Sequence, residues 1–209
     1  MTESEIKEKW YYFCSLAKQF QATEQYVSHS LDDDGKLQNE NTFSSEFAKI
    51  LMLAASEFEV ISKALCIESG FEISKNDNIV IITKNILTKY PKIGETIIQT
   101  PYKIYKPLKD WKIVLVDTIN KASEKVEGLS WWNDYNGVKH NRSQNFTKAN
   151  LKNCVDAMAS LMVLELYLSQ TVLNNLDAIK SIGCSYFDCD YGLSYLVVNA
   201  GHNLPDFSI

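Results

Sequence analysis

Trp131-Trp132-Asn133-Asp134-Tyr135-Asn136-Gly137-Val138-Lys139-His140-Asn141-Arg142 holds two of the four tryptophans in the chain, one of its three histidines and its only arginine. The other twenty basic residues are lysine. Read as a helix from Trp132 to His140, the stretch stacks Trp132, Asn136 and His140 on one face at i, i+4 and i+8. Tyr135, Lys139 and Arg142 form the adjoining column. Gly137 costs about 1 kcal/mol in a helix interior, so its place there suggests a close approach to the backbone.

Outward from this stretch the chain reads mostly as helix. On the C-terminal side, Thr147 or Asn145 caps a long helix that runs to about Asn175. Its first half is amphipathic through Leu151, Val155, Met158 and Leu161-Met162. From Ala157 to Leu168 it is apolar all round apart from Ser160 and Glu165, the mark of a central helix or a subunit interface. This surplus of apolar surface predicts a two-fold dimer through this helix or the adjacent central stretch. On the N-terminal side a short helix is expected over 113–125, broken by Gly128. Residues 95–111 alternate and carry prolines, which predicts an extended connection or edge hairpin. Residues 78–90 read as helix, with Ile79, Ile82, Ile86 and Tyr90 on one face and Pro91 as the stop.

Ser44 is the expected N-cap of a helix to about Ser69, halted at Gly70. Phe47, Leu51, Ala54, Phe58, Ile61 and Leu65 make its core stripe. Glu57 borders that stripe and needs a partner, because an unpaired buried charge is costly; Lys139, Arg142 and Asn136 are the expected contacts. Thr2 and Glu5 form a capping box ahead of a helix over residues 3–29. Residues 30–43 read as a polar loop. The tail 183–209 carries a strand pattern at Ser194-Tyr195-Leu196-Val197-Val198.

Composition narrows the function. Hydrophobic residues at 45% and charged residues at 22% are ordinary for a soluble globular domain. No apolar run reaches the roughly 18 residues of a membrane span, and the acidic N-terminus is unlike a secretory signal, so the expected location is cytoplasmic. The five cysteines are scattered and complete no zinc pattern. A net charge of −5 argues against bulk attraction to nucleic acid. Residues 103–152, however, hold ten basic and five acidic side chains, so the central stretch sits in a locally basic segment.

The helical face of that stretch offers an amide, an imidazole, an ammonium and a guanidinium. Histidine exchanges protons near neutrality. Arginine and lysine stabilise phosphorane-like charge without a metal. The set suits transfer of an RNA phosphodiester to its own 2′-hydroxyl. A structural alternative stands beside it: the tryptophans anchor the core, His140 bonds a carbonyl, and Lys139 and Arg142 pair with Glu57, Glu165 or solvent.

Trp132-x-x-Tyr135-Asn136-x-Val138-Lys139-His140-x-Arg142, with Phe146 and Ala149-Asn150-Leu151-Lys152-Asn153 after it, resembles an uncharacterised bacterial branch of the HEPN superfamily. The segments Ser44-Ser45-Glu46-Phe47 and Ala55-Ser56-Glu57-Phe58-Glu59-Val60-Ile61-Ser62-Lys63 resemble it too. The resemblance spans residues 5–175. It implies a helical bundle, a homodimer and, in active members, a metal-independent endoribonuclease of toxin–antitoxin or antiphage systems. Those members place a histidine four to six residues after the arginine, whereas His140 here precedes Arg142.

The expected architecture is all-α: an antiparallel bundle of four to five helices over 1–180, a short extended or β segment near 95–107, and a β-containing appendage over 181–209. Expected catalytic residues are His140, Arg142 and Lys139. Asn136, Lys139, Arg142 and Tyr135 are the expected phosphate or nucleotide contacts, with Glu57 in support. No metal or other cofactor is expected. RNA or nucleotide, a second copy and a cognate antitoxin are the expected partners. A non-catalytic HEPN-like interaction module is the alternative.

Overall fold

Two long helices, α2 (Ser45–Glu68) and α6 (Leu151–Leu173), begin side by side and run the same way. Their entries are stitched together: Leu151 N donates to Thr42 O at 3.0 Å and Ser44 N to Ala149 O at 3.4 Å. Ser44 and Asn150 each cap the helix that follows, accepting from Phe47 N and Asn153 N at 3.0 Å. Near the far ends, the Tyr90 hydroxyl lies 2.8 Å from Ser69 Oγ and 2.7 Å from Thr171 Oγ1. The expected antiparallel arrangement therefore does not hold for this central pair. The long connection between them carries the chain back to where α2 began.

The computed structural model describes residues 1–99, 104–118, 121–174, 176 and 179. The remaining elements are α1 (Glu3–Ala22), α3 (Ile79–Lys89), β1 (Ile98–Gln99), β2 (Ile104–Tyr105), β3 (Lys112–Thr118), β4 (Lys121–Glu127), α4 (Ser130–His140) and α5 (Arg142–Asn145). The fold is mainly helical, with two antiparallel strand pairs among the described residues. The expected tail strand at 194–198 lies outside those residues.

α1 starts at the expected capping box, with both reciprocal bonds present. It runs against α2, and the Met1 amine reaches Glu68 Oε1 at 2.7 Å. It stops at Ala22 rather than near residue 29. Thr23 Oγ1 donates to Phe20 O at 2.7 Å and lies 3.0 Å from His29 Nε2, and the His29 ring stacks on Phe20. α6 begins at Leu151, later than the expected Thr147 or Asn145, because Phe146–Lys148 forms a 3-10 turn first. It ends where Asn174 adopts left-handed φ 54°.

α6 is the axis of the molecule. From Leu151 to Ser169 every residue is buried except the half-buried Lys152 and Asp156. α1, α2 and α4 pack around it. One chain thus covers the all-round apolar run, which no longer calls for a second copy.

The expected helix over 113–125 is instead the β3–β4 hairpin, with Val114 opposite Lys125 and Leu115 opposite Glu124. Ile113, Val114 and Val116 are β-branched and favour extended backbone. The hairpin packs on α3, and Lys84 Nζ bonds Glu124 Oε1 at 2.9 Å. Gly128 closes it at φ 86°, where a Cβ would stand 2.0 Å from Asp110 O. The alternating segment before it does form a strand pair, β1 against β2.

Candidate functional site

Trp131, Trp132, Tyr135 and Val138 are the buried face of α4. Trp131 meets Phe58 of α2 edge-on at 5.0 Å between ring centroids, and Trp132 lies 5.8 Å from the same ring. Polar contacts fix α4 to the start of α6. Asn153 Nδ2 donates to Asp134 Oδ2 at 3.0 Å and to Lys148 O at 2.8 Å, and Lys148 Nζ lies 3.2 Å from Asp134 Oδ1. The helix-holding part of the stretch is thus aromatic and carboxylate.

The other face ends in an exposed basic tip. Lys139 and His140 are exposed on the last turn of α4. At Asn141 the backbone leaves the helix, with φ −148° and ψ 72°, and exposed Arg142 opens α5. The column Tyr135–Lys139 survives, with Lys139 Nζ 5.3 Å from the Tyr135 ring centroid. Arg142 leaves that column because of the break. α5 folds back on α4: Asn145 Nδ2 donates to Asn141 O at 2.9 Å, and Asn145 Oδ1 would lie 3.1 Å from a Cβ on residue 137. That is the close approach which Gly137 permits.

Arg142 lines a cleft of about 430 Å³ with Ser45, Lys49, Met52 and Leu53 of α2 and with Phe146. His140 is not among the residues lining it. Neither the His140 nor the Arg142 side chain makes a hydrogen bond or ion pair among the described residues. The chain therefore brings Lys139, His140 and Arg142 to one exposed end. Half-buried Asn136 lies one turn behind His140. Tyr135 is buried and serves as the ring beneath Lys139 rather than an open contact surface.

Glu57 does not join them. It lines a groove between α1 and α2 with Lys9 and Tyr12, while its neighbour Phe58 takes the position facing α4. The expectation of support from Glu57 is corrected by helix geometry: adjacent residues point about 100° apart. Its carboxyl is pushed above the usual range by burial, opposed by Lys9.

The sequence marks Glu165 as a break in an apolar run and, in the structural alternative, as a partner for Lys139 or Arg142; it pairs with neither. It is fully buried, and neither carboxyl oxygen has a hydrogen-bond partner. Burial, and then the charge of Glu57, push its pKa to about 8, against the pull of Lys9. The set Lys9, Glu57 and Glu165 comes from three helices, so no local spacing announces it. Among the described residues no group of three or more His, Cys, Asp or Glu side chains is placed to hold a metal, and no helix is long and apolar enough to cross a membrane. Comparison with known proteins gave no match, either to a family model, to a curated protein or to a solved structure.

Proposed function

We propose that the chain is a HEPN-like protein that binds RNA or nucleotide phosphate at the α4–α5 junction and cleaves RNA without a metal. The observation that supports this reading best is the exposed pair His140 and Arg142 on either side of a helix break, their side chains without a partner among the described residues. A side chain held for packing would be buried and bonded. Here packing falls to Trp131, Trp132, Tyr135 and Val138, so the interaction-module alternative loses its basic residues.

In this reading the RNA 2′-hydroxyl attacks the adjacent phosphorus. His140 takes the hydroxyl proton or returns one to the departing 5′-oxygen. Arg142 and Lys139 neutralise charge on the phosphoryl oxygens, and Asn136 positions the phosphate. A 2′,3′-cyclic phosphate and a free 5′-hydroxyl remain. A homodimer and a toxin–antitoxin or antiphage setting with a cognate antitoxin belong to the proposal, on the strength of the resemblance. One observation favours a binding-only version: Arg142 lines the cleft beside α2, and His140 is absent from that lining.

The test is a labelled RNA panel incubated with EDTA. Cleavage should proceed and leave cyclic phosphate ends. His140→Ala should slow it about 100- to 10,000-fold, the usual worth of a proton shuttle. Arg142→Lys should lose activity because a point charge replaces a bidentate fork. Both variants should melt with the wild type. RNA retention without cleavage selects the binding-only version. A wild type that neither binds nor cleaves any RNA or nucleotide, with a destabilised His140→Ala, ends the proposal.

A further inference from the structure

Ser45, Lys49 and Leu53 follow one another at steps of four along an exposed face of α2, with Ala48 and Met52 beside them. All five line the cleft of about 430 Å³ that Arg142 of α5 and Phe146 of the 3-10 turn complete. That volume falls within the range of small-ligand pockets, about 300–1,000 Å³. The cleft is therefore a slot between one helix face and one turn.

Its two sides differ in chemistry. Phe146 is half-buried, and Phe43 meets it nearly perpendicular, at 79° and 5.4 Å between ring centroids. A ring already held in this way loses little further freedom when a flat ligand settles on it. Ala48 and Met52 supply apolar surface from α2, and a thioether packs well on aromatic groups. The cations are unequal. Lys49 Nζ lies 2.6 Å from Glu46 Oε2 and is already paired. The Arg142 guanidinium has no hydrogen bond or ion pair among the described residues, so it can answer one added anion.

We propose, resting on the phosphate-site reading above, that this cleft holds the base of one unpaired nucleotide, stacked on Phe146 and Met52, with Arg142 on that nucleotide's phosphate. The substrate class is then single-stranded RNA rather than duplex or a free nucleoside triphosphate. In a duplex each base is covered by its neighbours, and only an unpaired base can turn a face to an aromatic side chain. One uncommitted guanidinium matches one phosphate through paired hydrogen bonds. A triphosphate brings more charge than Arg142 answers, and Glu46 beside Lys49 would repel it. The Ser45 hydroxyl, exposed on the same cleft, can donate to or accept from a base edge.

The experiment is equilibrium binding of the full chain to a short RNA strand without self-pairing, methylated on every 2′-oxygen so that it cannot be cleaved. The same strand annealed to its complement, and an abasic strand of equal length, are the comparisons. The single strand should bind most tightly, although the duplex carries the denser charge and would win if the contact were electrostatic alone. Phe146→Leu keeps the apolar bulk and removes the ring. It should weaken the single strand at least about fivefold, the lower worth of one stacked base, and leave the abasic strand unchanged. Phe146→Trp should bind the single strand at least as tightly as wild type, and melts should show both variants folded. Equal or tighter binding of the duplex or the abasic strand, or a single-strand affinity that Phe146→Leu does not alter, overturns the base slot and leaves the phosphate site standing. Binding of none of the three removes the phosphate site, and the slot with it.

Discussion

Glu165 and His29 contribute to the pH dependence of folding in opposite directions. Glu165 keeps its proton in the folded chain up to about pH 8, whereas the unfolded chain releases it near the ordinary value of 4.5. Stability from this group is therefore complete below about pH 4.5 and is lost as pH rises through 8. Glu165→Gln removes the titration. Relative to the difference at pH 4, the variant should gain roughly 3 kcal/mol on the wild type at pH 7. Urea unfolding of both proteins from pH 4 to 8 checks this, and a gap that does not change with pH contradicts it. His29 runs the other way. Burial beside Phe20 lowers it to about 4 from 6.5. The unfolded chain takes up that proton first, so stability from this residue is lost as pH falls from about 6.5 to 4.

Among the elements, the β3–β4 hairpin and the α4–α5 break each carry a glycine at a close contact, with different consequences. Gly128 sits at φ 86°, and a Cβ there would stand 2.0 Å from backbone. Backbone cannot step aside as a side chain can. Gly128→Ala should cost more than about 2 kcal/mol, combining left-handed strain with the clash. Gly137 is helical, and its nearest obstacle is the Asn145 side chain at 3.1 Å. Alanine gains about 1 kcal/mol of helix propensity there, so Gly137→Ala should fall within about 1 kcal/mol of wild type. Thermal melts of the two variants in one buffer test the contrast. Similar losses for both would mean that the α5 contact is as rigid as the hairpin closure.

For the molecule as a whole, the interior position of α6 decides where a partner can bind. Its apolar run is covered by α1, α2 and α4, so a homodimer must use another surface. The α4–α5 end offers Phe43 at 45% exposure and Leu53 at 38%, beside the cleft that Arg142 lines. A two-fold contact there would bring two basic tips together. Light scattering should give about twice the chain mass of 23.8 kDa. Leu53→Ser with Phe43→Ser should return it to the monomer mass. A wild type of monomer mass at micromolar concentration removes the homodimer from the proposed function.

What the sequence by itself determined is what local spacing controls. The α1 capping box, the Ser44 cap and the Gly70 stop of α2, and the α3 face of Ile82, Ile86 and Tyr90 all follow from residues within a turn of one another; the burial of Tyr135 on α4, expected as an open phosphate contact, did not. The candidate site was legible to the same extent: Lys139, His140 and Arg142 share an end because they are neighbours in the chain. The β3–β4 hairpin was missed because seven residues with mixed apolar spacing fit either period, and packing on α3 decided between them. The departure of Arg142 from the Lys139 column depended on the backbone turn at Asn141. The parallel run of α2 and α6, the covering of α6, and the meeting of Lys9, Glu57 and Glu165 were decided only by tertiary structure. Each joins residues from different helices, and the spacing within one helix carries no information about which face another helix will cover.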